Sequence, residues 1–123
     1  MLPVSGKVGL TKGTKEDMVN GYGSYFSHKN EVTKPGYYSV LLDKYKIKAE
    51  LTASERVGFH KYTFNSKEDA HVLLDLADGV GWDSSKETFI KKTGKRTIVG
   101  YRYSKGWAAD QRLFFAMEFS EDI

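Results

Sequence analysis

Residues 46–54, KIKAELTAS, alternate with a period of two. Ile47, Leu51 and the two alanines take one face, and Lys48, Glu50 and Thr52 the other. That is the pattern of a β-strand with one dry side and one wet side. Seven further strand-like runs surround it, at residues 2–8, 37–42, 56–64, 72–76, 87–92, 96–103 and 112–119. They recur at intervals of about ten residues, and no segment carries a helical period. The run at 72–76 is mostly apolar and reads as an inner strand covered on both faces. In the last run Leu113, Phe115, Met117 and Phe119 share one face. Turn chemistry fits: Asp43 to Lys46 is short enough for a hairpin, and Gly94-Lys95 separates two strands. The fold class implied is all-β, an antiparallel β-sandwich. Residues 9–36 are the exception, a stretch with five glycines and no sustained period, which reads as a long loop.

Composition narrows the function classes. A chain of 123 residues, 40% hydrophobic and 14% aromatic, is one domain's worth and can bury a core. The net charge of +3 comes from 19 basic and 16 acidic residues that are interspersed along the chain. Nucleic-acid binding needs basic side chains clustered on a face, and no such cluster is present in the sequence. With no cysteine, disulfides and thiolate zinc sites are excluded. His28, His60 and His71 lack ligand-like spacing, so no metal site is assigned. No apolar run approaches the ~18 residues of a membrane span. Met1 to Val4 lacks the charged and apolar parts of a signal peptide. Both ends fall beside strand-like runs, so the expectation is a piece of a larger sandwich, with sheet edges or faces open to dimerisation.

Two polar stretches are candidate sites. Phe26-Ser27-His28-Lys29-Asn30-Glu31 precedes a strand, and Ser27, His28 and Glu31 there have the chemistry of a polar site with an acid or base. The alternative is that Asn30 and Glu31 bond loop backbone and fix the entry to the strand. Tyr103 to Gln111, YSKGWAADQ, has the chemistry of a sugar platform. Trp107 would cover the CH face of a pyranose while Asp110 and Gln111 bond its hydroxyls. The alternative there is that Trp107 plugs the end of the sandwich and Asp110 caps a turn. Gly79 to Asp83, GVGWD, lacks the phosphate-loop patterns. Asp75, inside VLLDLA, reads as a structural residue. No pair of carboxylates is nominated for glycosidase chemistry and no nucleophile elbow is present, so no catalytic residue is assigned.

Residues 25–64 closely resemble the N-terminal domain of the glycoside hydrolase family 92 exo-α-mannosidases. The resemblance rests on Phe26, Ser27, His28, Asn30 and Glu31, then on Pro35 to Tyr38, Val40 and Leu42. It continues through Ile47, Ala49 to Ala53, Arg56, Gly58, His60, Tyr62 and Phe64. A second block carries it through Gly100, Tyr101, Arg102, Ser104, Gly106, Trp107, Ala108, Asp110, Gln111 and Phe115. The resemblance implies that residues 1–123 are part of an N-terminal β-sandwich whose partner is a larger α-helical catalytic barrel, absent from this chain. It implies an α-1,2-type exo-mannosidase that removes terminal α-linked mannose from glycans with inversion and needs calcium. The acid, the base and the calcium ligands would lie in the barrel, leaving this piece inactive alone. Tyr25, His28 and Glu31 would face the domain interface and the rim of the active site. Trp107 and Asp110 are the further substrate-binding candidates. A periplasmic or secreted location follows by the same resemblance. The rival expectation is an autonomous carbohydrate-binding or structural module.

Overall fold

The computed structural model describes residues 1–123. Nine strands form and no α-helix does. They are β1 (Leu2–Ser5), β2 (Glu31–Lys34), β3 (Tyr37–Leu42), β4 (Ile47–Ala53), β5 (Gly58–Thr63), β6 (Ala70–Leu73), β7 (Ser84–Lys92), β8 (Thr97–Lys105) and β9 (Gln111–Glu118). Every pairing is antiparallel. The chain divides into two compact units, Met1–Leu74 and Asp75–Ile123.

The first unit holds a four-stranded meander, β2-β3-β4-β5, and a two-stranded sheet, β1-β6. The period-two pattern in β4 holds at its start and fades toward its end, where Leu51 is half-buried and Ala53 exposed. Ile47 is fully buried and Ala49 nearly so, while Lys48 and Thr52 are exposed. Ile47 packs with Val4 of β1 and with Tyr45, and Leu2, Tyr62, Phe64 and Leu73 close around them. Val40, Leu42 and Ala49 form the adjoining part of the same core. Burial there pushes the Tyr62 phenol up to about 12.

Three sequence expectations change here. Residues 9–36 are not all loop, because Glu31–Lys34 is a strand. It pairs with β3 through a tight turn at Pro35-Gly36, where Gly36 has φ +75°. Pro followed by a positive-φ Gly is the chemistry of a type II turn, so the signal was present in the sequence. The first strand ends at Ser5, since Gly6 at φ +71° turns the chain out of the sheet. The run at 72–76 is not an inner strand. Only Ala70–Leu73 is extended, it pairs with β1 alone, and it is at most half-buried.

The second unit is the three-stranded sheet β7-β8-β9. A bulge between Ser85 and Glu87 shifts the β7–β8 register. Phe89, Tyr101 and Phe114 lie opposite one another across the sheet. Phe89 and Tyr101 stack at 5.4 Å between centroids, and Tyr101 and Tyr103 at 4.6 Å. On the other face the Phe115 ring lies over Gly100, where a Cβ would come within 2.6 Å of Cζ. Phe115 and Met117 are half-buried there, but Leu113 is 62% exposed.

Candidate functional site

The chain before β2 is pinned to the β3–β4 turn by the Lys44 and Tyr45 side chains and by a backbone bond at Tyr25. Lys44 Nζ donates to the carbonyls of Met18 (2.7 Å), Val19 (3.0 Å) and Gly21. The Tyr45 hydroxyl donates to the Tyr22 carbonyl at 2.9 Å. The Tyr25 hydroxyl donates to the Lys15 carbonyl, and the Tyr25 carbonyl accepts from the Asp43 amide at 2.9 Å. This anchoring delivers Phe26 and the residues after it to the start of β2.

His28–Asn30 form one 3-10 turn, capped by Ser27, whose hydroxyl accepts from the Lys29 amide at 3.3 Å. Glu31 then enters β2 opposite Val40. Its carboxylate sits between two side chains. Oε2 is 2.5 Å from His28 Nδ1, and Oε1 accepts from the Tyr38 hydroxyl at 2.6 Å. The Tyr38 hydroxyl and then His28 hold the Glu31 carboxyl below the usual carboxylate range. The same bond, with burial, pushes the Tyr38 phenol up. With Glu31 ionised and acceptor-only, Nδ1 carries the proton of the shared bond. The His28 side chain is 88% exposed, and its ring meets Phe26 edge-on at 5.5 Å.

His28 and Glu31 are therefore brought together, and Tyr38 joins them. Tyr25 is committed to the Lys15 carbonyl instead. Sequence reading missed Tyr38 as a member of this group. The alternative reading of the stretch is met only in part. Ser27 and Asn30 do tie the turn backbone, but Glu31 bonds side chains. On the opposite face of the same sheet lies an open groove of about 680 Å³. Lys29, Lys34 and Lys48 line it together with Asn30, Tyr37 and Ser39, and no carboxylate does.

Trp107 and Asp110 belong to the second unit. Trp107 is 89% exposed, so it does not plug the end of a sandwich. Asp110 Oδ2 accepts from Arg112 Nε at 3.1 Å rather than capping a turn, and Arg112 lies 5.3 Å from the Tyr103 ring centre. Asp75 is structural, as read: its Oδ1 accepts from the amides of Ala77 (2.8 Å) and Asp78 (3.0 Å). No group of three or more His, Cys, Asp or Glu side chains converges in a way that could hold a metal ion. No helix is long and apolar enough to cross a membrane.

The sequence model of the glycosyl hydrolase family 92 N-terminal domain matches residues 1–123. The chain belongs to this family. Its family 92 fold is seen again in a solved family GH92 α-mannosidase from Bacteroides thetaiotaomicron. That structure matches with a TM-score of 0.84 and 29% identity, over 98% of this chain and 16% of that one. The complex of that α-mannosidase with mannoimidazole matches to the same degree. No curated protein sequence matches. The family 92 chain described here thus spans 16% of the length of the solved α-mannosidase. The likeness is to the β-sandwich part of that family, in accord with the all-β antiparallel architecture.

Proposed function

We propose that this family 92 domain serves an exo-acting α-mannosidase that releases terminal α-linked mannose from glycans, with an α-1,2 preference. The observation that carries the reading is the match of nearly the whole chain to an α-mannosidase of the same family. The catalytic acid and base belong to a further part of the polypeptide, the α-helical barrel. The calcium ligands lie in that part too in this reading, and the reaction proceeds with inversion, which needs two carboxyl groups far enough apart to hold a water. In this reading Tyr25, His28 and Glu31 line the domain interface at the rim of the active site. The exposed His28 ring, held through Nδ1 by Glu31, leaves its other nitrogen for a hydrogen bond to a sugar hydroxyl. The enzyme works outside the cytoplasm, in the periplasm or as a secreted protein. The isolated chain is catalytically silent, and the unpaired edges of β2 and β5 favour its self-association.

The test compares this chain with the longest polypeptide encoded around it. Both are assayed for mannose released from α-1,2-mannobiose, with and without a calcium chelator. The longer polypeptide is expected to be active, chelator-sensitive and weakened by His28→Ala, with no turnover by the chain alone. Turnover by residues 1–123, or an inactive longer polypeptide, would overturn the reading.

A further inference from the structure

The chain has two tryptophans, and both are left in water, Trp82 at 73% exposure and Trp107 at 89%. Indoles bury well, so two exposed ones in a single small unit call for an explanation. They lie in the two loops that lead off the same end of the β7–β8 ladder. The β7–β8 ladder begins with Ser84 opposite Lys105. The ladder stops there, Trp82 lying in the turn that Asp83 closes onto Val80 and Trp107 in the bend that Gly106 closes onto Ala108, so each indole sits one residue beyond Asp83 or Gly106. The two loops meet at their roots, since a Cβ on Gly106 would lie 3.1 Å from the Asp83 Cα. A side chain at Gly106 would press on Asp83, so glycine lets the two loops approach closely.

The base beneath the pair is stiff. Asp83 is ion-paired with Arg102, whose Nε also donates to the Leu76 carbonyl at 2.8 Å. Arg102 is mostly buried, with its side chain 16% exposed. The Asp83 amide donates to the Val80 carbonyl at 3.2 Å and the Gly106 amide to the Ala108 carbonyl at 3.0 Å. Lys86 Nζ ties the far side of the second loop through the Ala109 carbonyl at 2.8 Å. The ring contacts of the unit join Phe89, Tyr101, Tyr103 and Phe114 and use neither indole. Both loops are therefore fixed at their roots while both indoles stay open.

We propose that Trp82 and Trp107 form one glycan-binding site at the end of the β7–β8 ladder. The two aromatic faces take the CH patches of a pyranose ring, whose hydroxyls remain free for water and for Asp110 on the Trp107 loop. The site uses no residue of the His28–Glu31–Tyr38 group and performs no chemistry. Its role is to hold a glycan chain. The choice of a mannoside as ligand rests on the function proposed above; the site itself does not.

The test uses the 123-residue chain labelled with 15N and reads the indole Nε1–H signals. The probes are α-1,2-mannotriose and, as a second sugar, cellotriose. Both indole signals are expected to shift saturably with mannotriose by about 10 mM, the weak affinity of a small aromatic site. Trp82→Ala and Trp107→Ala should each weaken binding by about tenfold or more, as truncating an aromatic anchor does. Both positions are exposed, so unchanged backbone spectra will show that the variants fold. Tryptophan-dependent binding of cellotriose alone would keep the site and remove the mannoside assignment. The proposal is overturned if neither sugar shifts the signals, if only one indole responds, or if the Ala variants bind as well as the parent. None of these outcomes depends on mannosidase activity, which the longer polypeptide reports separately.

Discussion

Replacing Ile47 by alanine tests the account of the first unit. Ile47 is fully buried, in contact with Val4 and Tyr45 and enclosed by half-buried neighbours from β1, β5 and β6. The change deletes about three methylene-sized groups, each contributing about 0.8 kcal/mol when buried. That is about 2.4 kcal/mol of transfer, and the cavity left among Val4, Tyr45 and Tyr62 adds to it. The expected loss is about 3 to 4 kcal/mol, within the usual span for such truncations. Ile47→Val, which removes one group, should cost about 1 kcal/mol. Thr63→Ala, at an exposed position on the wet face of the same sheet, should stay within about 0.5 kcal/mol. Urea unfolding followed by far-UV circular dichroism reads all three. Tryptophan fluorescence reports a different region, because Trp82 and Trp107 both lie in the second unit. An Ile47→Ala cost below about 1 kcal/mol at an unchanged m-value would refute this picture of the core.

Two further expectations follow from the packing and the charges. Gly100→Ala would drive a methyl group into the Phe89 carbonyl and to 2.6 Å from Phe115 Cζ, so the second unit should lose about 1–3 kcal/mol or more. A thermal melt matching the parent's would show that the Phe115 ring does not rest there. Glu31 has a folded-state carboxyl held below its ordinary range, so its stabilisation is present above that range. It fades as the pH falls through the lowered value, and the gap in urea midpoint between parent and Glu31→Gln should close on acidification. A gap that does not change with pH would argue against the bonds to Tyr38 and His28.

Much of the strand content was legible in the sequence because alternation is a local property. β4 announces its buried face through Ile47 and Ala49 and its wet face through Lys48 and Thr52. The two hairpins at Asp43–Lys46 and Gly94-Lys95 were legible for the same reason, since turn residues act on their immediate neighbours. β2 escaped because four residues are too few to establish a period, and its Pro-Gly turn was read as part of a loop. Family resemblance was legible over nearly the whole chain, since it depends on residue identities alone.

What the tertiary structure decided is which side chains meet. The pairing of β2 with β3 carries the Tyr38 hydroxyl to Glu31, seven residues away along the chain. The β7–β8 register, with its bulge at Ser85–Glu87, sets the Trp82 and Trp107 loops against each other. Each of these depends on register, and a slip of one residue would turn every side chain of a strand to the other face. Register is settled by the burial of residues such as Val4 and Ile47, which come from different strands and are joined only when the chain is folded.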